Sequence, residues 1–149
     1  MHKNFFQTSD FFLYINIIIF TLLEILIPTK IPIYFNVFFG FIILIMAWFM
    51  LYLSKREFVK YAQKSGPGND IKELINTGIY GYSRHPIYLA VLIINIGLSF
   101  ILNSLWLLFG TIFLAFMLNK FLINKEELFL LGKFGYKYSD YKRKVRKFI

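Results

Sequence analysis

The chain has 149 residues, enough for one domain, and 58% of them are hydrophobic, compared with about 45–50% in an average soluble protein. It contains no cysteine, which excludes disulfides, thiolate metal sites and cysteine nucleophiles, and its two histidines are too few for a histidine-rich metal site. The formal net charge is +9, but the cations lie beside long hydrophobic blocks, where they suit a membrane surface better than nucleic acid. We therefore predict an integral membrane protein with no metal and no nucleic-acid partner.

Hydrophobic residues are concentrated in four blocks, at positions 11–27, 33–53, 87–102 and 105–123. A membrane-spanning helix needs about 20 residues, so the second block is long enough and the first is close to the lower limit. The third and fourth blocks need residues from their flanks or a locally thinner bilayer. The first block lacks the basic flank and the small-residue cleavage site of a signal peptide, and we interpret it as a helix of the mature protein. The predicted fold class is all-α, a polytopic membrane protein with about four transmembrane helices.

The connections are of two kinds: short turns at 28–32 and 103–104, and long polar segments at 54–85 and 124–149. The long segments hold most of the cations, whereas the short turns carry only Lys30. By the positive-inside rule, the loop, the tail and both termini are expected in the cytoplasm, with the protein in the cell's inner membrane. One membrane domain results, divided into two N-terminal helices, a cytoplasmic loop, a helical hairpin and C-terminal cytoplasmic helices, at 1–53, 54–85, 86–123 and 124–149.

Both long segments contain predicted helices. In the loop, residues 54–65 extend the second helix, the Gly-Pro-Gly-Asn sequence at 66–69 breaks it, and residues 70–76 form either a short helical turn or an extended stretch. In the tail, a helix over 125–131 is interrupted at Gly132 and Gly135, and a second helix follows over 136–147.

Glu24 lies within the first hydrophobic block. A carboxylate inside a membrane helix is a functional candidate by default. Because Glu24 is about one turn from the outer end of its block, the alternative is a side chain that reaches the outer surface.

The first candidate cluster is the polar sequence at 76–88, which leads directly into the third hydrophobic block. Pro86 suits the first turn of a helix, where the N–H that proline lacks has no partner. The cluster is therefore expected at a helix N-terminus, which favours anions. Arg84 could hold a carboxylate or a phosphate through its planar guanidinium, and His85 could donate to or accept from a hydroxyl. The alternative is an interfacial anchor at headgroup depth.

The second candidate cluster is the pair Glu126-Glu127, which stands among many cations at the cytoplasmic end of the fourth block. One carboxylate could balance Arg84 or a lysine, or it could bind a ligand ammonium or a ribose diol. The alternative is a solvated helix face with surface ion pairs, each worth about 0–1 kcal/mol.

Together the two clusters resemble the isoprenylcysteine carboxyl methyltransferase family and the related membrane phospholipid methyltransferases. The resemblance rests on Thr77-Gly78-Ile79-Tyr80, Ser83-Arg84-His85-Pro86-Ile87-Tyr88, the helical hairpin, and then Glu126, Glu127, Leu130, Phe134, Gly135, Tyr138, Tyr141, Val145 and Arg146. It covers the second half of the chain, and the first two blocks match only in being hydrophobic. Many relatives have proline at the position of Ile79 and glycine at that of Ala90. The eukaryotic enzymes carry an arginine, assigned to the substrate carboxylate, at the position of Leu122.

The resemblance implies a cytoplasmic S-adenosylmethionine site and methyl transfer to a lipophilic acceptor, either the carboxylate of a prenylcysteine-like compound or another small or lipid substrate. The cofactor-binding residues that it implies are Lys72, Glu73, Leu74, Ile75, Tyr80, His85, Pro86, Ile87, Tyr88 and Glu126. Arg84, His85 and Glu127 are the catalytic candidates, and Lys120 and Lys125, near Leu122, are the candidates for substrate binding.

Several alternatives remain open at this stage. A carboxylate acceptor needs no general base, whereas an amine must first be neutral, and His85 or a glutamate would then be the base. Membrane sterol reductases resemble the C-terminal half and use NADPH, although they are larger. A non-enzymatic membrane partner that has kept the fold is the third possibility.

Overall fold

The computed structural model describes residues 5–31, 36–61 and 71–148, and within these ranges the chain forms helices and turns but no strand, which confirms the predicted all-α class. The helices are α1 (Phe5–Leu26), α2 (Asn36–Lys60), α3 (Pro86–Ile101), α4 (Leu105–Leu118), α5 (Asn124–Phe134) and α6 (Tyr136–Lys144). A single turn of 3-10 helix, Gly78–Gly81, precedes α3, and a π-helical segment, Asn119–Ile123, joins α4 to α5.

The loop begins as the sequence predicts, because α2 continues beyond its hydrophobic block to Lys60. The predicted break at 66–69 lies outside the described residues. From Ile71 to Thr77 the backbone is irregular, so the predicted helical turn is absent there. Pro86 is the first residue of α3 and His85 caps it, as the proline rule predicts.

The segments α4, Asn119–Ile123 and α5 continue into one another as a helix of 30 residues, Leu105–Phe134. Gly132 lies inside α5, so the prediction that it interrupts the helix is wrong. A glycine in a helix costs only about 1 kcal/mol relative to alanine, which neighbouring helical turns readily offset. The chain does turn at Gly135, whose φ of 51° suits glycine, and α6 starts there.

The helices pack in the order α2, α3, α4, α1, with α3 between α2 and α4. Large apolar side chains point away from this bundle and are strongly exposed, as at Ile25, Trp48 and Ile112 with 71–75% exposure. An exterior this apolar suits a bilayer. The helices α2 and Leu105–Phe134 are long and apolar enough to cross a membrane, whereas Phe11–Leu26 and α3 are shorter apolar helices.

Polar side chains inside the bundle link the helices to one another. Asn16 of α1 donates to the carbonyl of Gly110 at 2.8 Å, and Asn95 of α3 donates to the carbonyl of Leu107 at 3.1 Å. Such interhelical hydrogen bonds hold helices together where lipid provides no hydrophobic force between them. Both reach α4, which is therefore fixed on two sides.

Glu24 joins the two short turns at one end of the bundle. Its carboxylate accepts hydrogen bonds from the hydroxyls of Thr29 at 2.8 Å and Ser104 at 2.6 Å. The residue thus ties the end of α1 to the start of α4. The two interpretations of Glu24 were a functional carboxylate and a side chain that reaches the outer surface; the contacts with turn residues fit the second, and they add a structural role that the sequence did not predict.

Close packing of α2 on α3 depends on two glycines that face each other. A Cβ atom at Gly40 would lie 2.9 Å from the carbonyl oxygen of Gly97 and 2.5 Å from Cγ1 of Ile101. A Cβ atom at Gly97 would lie 2.8 Å from Leu44. The backbones of the two helices can approach this closely only because both positions lack a side chain.

We expect Gly40→Ala to lower the free energy of unfolding by about 1–3 kcal/mol, the usual cost of overpacking. A backbone carbonyl cannot move aside as a side chain can. Gly132→Ala is the matched control, because no described atom lies within 4 Å of its Cβ position. It should stabilise the protein by up to about 1 kcal/mol through helix propensity. Unfolding in mixed micelles measures both variants, and a Gly40→Ala protein as stable as the control would contradict the packing.

Candidate functional site

The loop between α2 and α3 enters the site through a turn at Thr77–Gly81. Gly78 has a φ of 58°, a conformation that favours glycine, and the amide of Tyr80 donates to the carbonyl of Thr77 at 3.1 Å. The chain then passes through Ser83 and Arg84 to His85, the cap of α3. Tyr80 and His85 are both buried, whereas Tyr82 between them is 83% exposed, so only part of this loop segment points into the protein.

Glu127 is the centre of the polar cluster. One of its oxygens, Oε1, lies 3.1 Å from Nη2 of Arg84 and 3.2 Å from Nε2 of His85. The other, Oε2, accepts from Nζ of Lys142 at 2.8 Å. The side chains of Arg84 and Glu127 are each only 8% exposed, so this is a buried pair rather than a surface one. Removing one partner of such a pair is costly because the other charge is left buried.

His85 lies between two carboxylates. Its Nε2 faces Glu127, and its Nδ1 lies 3.6 Å from Oε2 of Glu126. Burial by itself would lower the pKa of His85, but the hydrogen bond to Glu127 and the negative charges of Glu126 and Glu127 outweigh it and raise this pKa above its usual 6.5. The imidazole therefore keeps its proton to a higher pH than an ordinary histidine does, and in this form its Nε2 donates to Glu127 while its Nδ1 faces Glu126.

The C-terminal residues fold back across the loop. The hydroxyl of Tyr141 donates to the carbonyl of Tyr80 at 2.7 Å, and the amide of Arg84 donates to the carbonyl of Arg146 at 3.1 Å. Further along, Nζ of Lys147 donates to Oδ1 of Asn119 at 2.8 Å. The tail thus contacts both the loop before α3 and the start of the π-helical segment.

A cleft lies between the end of α2, the loop, α5 and α6, with about 440 Å³ of space that includes a part open to solvent. Its lining consists of apolar and aromatic walls with a few charged groups: Phe58, Ile71, Glu73, Leu74, Ile75, Tyr80, Arg84, Glu126, Leu130, Tyr138 and Tyr141. Pockets for small organic ligands typically have this composition.

Three residues that line the cleft carry buried polar atoms that have no hydrogen-bond partner among the described residues. These atoms are Nε and Nη1 of Arg84, Oε2 of Glu126 and the hydroxyl of Tyr138. Burial raises the pKa of the Tyr138 hydroxyl above its usual value of 10, so the group is neutral and able to donate. Buried polar groups are normally paired, and these groups therefore offer two kinds of donor and an acceptor to a bound molecule.

The structure brings together most of the residues implied by the resemblance. Six of them line the cleft: Glu73, Leu74, Ile75, Tyr80, Arg84 and Glu126. His85 and Glu127 lie directly behind Arg84 and Glu126, and the ring of Tyr88 lies 5.7 Å from that of His85. Pro86 and Ile87 form the first turn of α3 beside them.

Lys72, Lys120 and Lys125 are exposed and do not belong to the lining of the cleft. Nζ of Lys120 lies 5.6 Å from the ring centres of both Phe116 and Phe121 on the outer face of the helix. Leu122 is 2% exposed and packs in the hydrophobic cluster with Tyr88 and Leu118. The substrate-binding role given to Lys120 and Lys125 stays a prediction.

Five residues of the lining were not among the predicted site residues, although the last three belong to the sequence that carries the resemblance: Phe58, Ile71, Leu130, Tyr138 and Tyr141. Tyr138 and Tyr141 had a usable signal, since two aromatic residues three positions apart on a basic helix predict one buried face. Phe58 had a weaker one, as an aromatic residue four positions after Ser54 in a segment rich in cations. Ile71 follows the part of the loop that the structure does not describe.

Comparison with known proteins confirms the resemblance. The model of the phospholipid methyltransferase family matches residues 35–137. The protein-S-isoprenylcysteine O-methyltransferase of Schizosaccharomyces pombe is 35% identical over 74 residues, which are 48% of this chain but only 30% of that enzyme. An uncharacterized protein of Haemophilus influenzae is 42% identical over 64 residues, 42% of this chain and 98% of that protein. No solved structure matches the chain.

We expect NMR titration of the His85 imidazole to give a pKa above 6.5, and the Glu127→Gln variant to lower it by removing a facing negative charge. Because the pKa is raised by folding, the stability that this charge contributes is fully present below about pH 6.5 and is lost as the pH rises through the folded-state value. Asp140→Asn is the control, since the carboxylate of Asp140 pairs with Arg143 and Lys144 at the surface. A His85 pKa that is the same in all three proteins would contradict the arrangement.

Proposed function

Because the chain belongs to the phospholipid methyltransferase family, we propose that it is an integral membrane enzyme that transfers a methyl group from S-adenosylmethionine to a lipophilic acceptor. The observation that carries the proposal is the set of unpartnered polar atoms on Arg84, Glu126 and Tyr138 in one cleft with apolar walls. Such a cleft suits a ligand that is partly apolar and carries both charges. The cleft opens at the end of the bundle that also carries the basic tail.

The residues present fit this methyl donor, which supplies an electrophilic methyl group on a positively charged sulfur. Nε and Nη1 of Arg84 match the donor's carboxylate, because guanidinium groups bind carboxylates through paired N–H groups. The carboxylate of Glu126 suits an ammonium or a ribose diol. Phe58, Ile75 and Leu130 supply the apolar surface that an adenine ring requires.

The charges around the cleft would favour the reaction by electrostatics rather than by covalent chemistry. Glu126 and Glu127 favour a cationic ligand beside them, while Arg84, His85 and Lys142 keep the cluster close to neutral overall. Groups fixed in a poorly hydrated cleft need little rearrangement during the reaction, which is the usual source of such stabilisation. Their positions are fixed by the ion pairs with Glu127.

The environment of His85 bears on the acceptor. Both of its nitrogens face carboxylates, so it holds its proton and is a poor general base. An acceptor that is already anionic, such as a carboxylate, needs no base, and we propose this class ahead of an amine. The related S. pombe protein is named for methylation of isoprenylcysteine, which fits an apolar molecule of this kind.

We further propose that all four apolar helices span the membrane, with both termini, the loop and the tail in the cytoplasm. The 30-residue helix Leu105–Phe134 supports this arrangement, since at 1.5 Å per residue it is about 45 Å long and the hydrocarbon core is about 30 Å thick. Its last ten residues, which include both glutamates, would then lie outside the hydrocarbon. The α3 helix is short, so it requires a locally thinner bilayer, which the polar end of the bundle can impose.

We expect the purified protein in nanodiscs to bind S-adenosylhomocysteine in calorimetry, and Arg84→Gln or Glu126→Gln to weaken binding at least about tenfold, the effect of losing one hydrogen bond to a charged group. Arg143→Gln is the matched control, because the side chain of Arg143 is 66% exposed. Folded wild-type protein that binds no S-adenosylhomocysteine would rule out the proposal. Transfer of labelled methyl to a lipophilic carboxylic acid, but not to its amide, would establish the acceptor class.

We expect reporter fusions at the N-terminus and at the C-terminus both to show cytoplasmic location, because the cations are concentrated in the segments on that side. A fusion in the turn between α3 and α4, at Asn103, should report the opposite side. A C-terminus outside the cytoplasm would overturn the proposed orientation without affecting the test of cofactor binding.

A further inference from the structure

Glu57 is a buried carboxylate that belongs neither to the cluster around Glu127 nor to the lining of the cleft. It lies in the last turn of α2, where its sequence neighbours Lys55, Arg56 and Lys60 suggest an ordinary cytoplasmic helix end. Yet the residue is only 4% exposed, and it is not one of the described residues that line the cleft. A carboxylate removed from water in this way requires partners that compensate for its lost hydration.

Those partners lie on both sides of the residue. Oε1 of Glu57 accepts from Nζ of Lys60 at 2.6 Å, a pair within the same helix. Oε2 accepts from the hydroxyl of Thr77 at 3.0 Å, across a sequence separation of 20 residues. The hydroxyl of Tyr61 lies 3.1 Å from that of Thr77, and since Thr77 donates its proton to Glu57, Tyr61 donates to Thr77. Glu57 therefore fastens the end of α2 to the loop.

The next residue of the loop is shaped around the same carboxylate. Gly78 has a φ of 58°, and a Cβ atom there would lie 2.4 Å from Oε1 of Glu57. The glutamate side chain thus occupies the space that any other residue at position 78 would need. The backbone conformation favours glycine here, and the position of the Glu57 side chain leaves no space for a Cβ atom.

This turn determines where Tyr80 lies. The amide of Tyr80 donates to Thr77, and the amide of Ser83 donates to the carbonyl of Ile79, so the backbone from 77 to 83 is held as a unit. The ring of Tyr80 meets that of Phe58 edge to face, with centres 5.7 Å apart, and both rings line the cleft. A displaced Thr77 would move Tyr80 and open the cleft wall formed by α2.

We propose that Glu57 is a positioning residue of the site, which holds the Thr77–Gly81 turn on α2 and thereby fixes Tyr80 in the wall of the cleft. The inference rests on the proposed function only for the identity of the ligand. It extends the site to the end of α2, which carries no part of the resemblance at 76–88 and 126–146. Lys60 neutralises Glu57, so the role is mechanical and not a charge presented to the ligand.

The first experiment needs no ligand. Hydrogen exchange of the intact protein in nanodiscs should show the amides of Tyr80 and Ser83 exchanging at least about tenfold faster in Glu57→Ala and in Thr77→Val, since each change removes the same charge-assisted hydrogen bond. The double variant should be no faster than either single one. Glu57→Gln retains an acceptor oxygen for Thr77 and should restore most of the protection. Lys55→Gln, at an exposed position two residues away on α2, is the matched control and should behave as wild type.

The second experiment measures S-adenosylhomocysteine binding by the same proteins. Glu57→Ala and Thr77→Val should bind about tenfold more weakly, with Glu57→Gln close to wild type, a rescue that general destabilisation of α2 would not produce.

The outcomes separate the two proposals. Unchanged exchange at Tyr80 and Ser83 in Glu57→Ala would overturn the inference, and so would faster exchange with unaltered ligand binding. If wild-type protein binds no S-adenosylhomocysteine while exchange follows the expected pattern, the proposed function fails, and the role of Glu57 in holding the turn stands.

Discussion

The rest of the site depends on the ion pairs made by the carboxylate of Glu127. This carboxylate is shared by Arg84 and His85 from the loop before α3 and by Lys142 from α6, so one buried anion joins three separate parts of the chain. Burying a charge is expensive, and three cations with good hydrogen-bond geometry are what make this burial tolerable. Without Glu127 the two loop cations would face each other, and the tail would lose its charged contact with α5. The polar end of the protein is therefore organised from a single position.

One small bundle combines surfaces suited to lipid with a cluster of charged groups. The outer faces of α1, α2 and α4 are apolar and suit lipid, while the cluster around Glu127 requires partners that are charged and hydrogen-bonded. The π-helical segment at Asn119–Ile123 lies where one environment gives way to the other. Segments of this kind are frequent at functional sites, because they change which faces a helix presents along its length. Here the apolar face below it packs on α3, and the carboxylates above it meet the loop.

Much of the fold follows from the sequence, because hydrophobic block length and helix-end chemistry are local properties. The start of α3 at Pro86 and the turn at Gly135 were both predictable from residues that restrict or permit particular backbone angles. Gly132 misled the prediction because the intrinsic cost of a helical glycine is small beside the cooperativity of a long helix. A pairing of Arg84 with one of the two glutamates was among the alternatives that the residues left open, whereas the contact of His85 with Glu127 was not predicted.

The contribution of α2 to the site lay beyond sequence reasoning. Phe58 and Glu57 sit in a segment whose composition is that of a solvated helix end, and only the return of the loop over that end buries them. Contacts of this kind join residues about 20 positions apart or more, and they depend on how the helices are arranged. Tyr138 and Tyr141 illustrate the same limit, since their spacing predicts a buried face but does not say what that face covers.

Because Leu105–Phe134 is continuous, the two glutamates lie near the end of one long helix, which in the proposed arrangement spans the membrane. Glu127 stands about 33 Å along this helix from Leu105, so a tilt of about 10° would displace it by about 6 Å unless the tail and loop moved with it. Membrane helices adjust their tilt to the thickness of the surrounding bilayer. The ion pairs of Glu127 oppose such a rotation at one end, and the Glu24 contacts oppose it at the other. In this arrangement, the length of the surrounding lipid acyl chains affects the tilt of the helix and, through it, the geometry of the cleft.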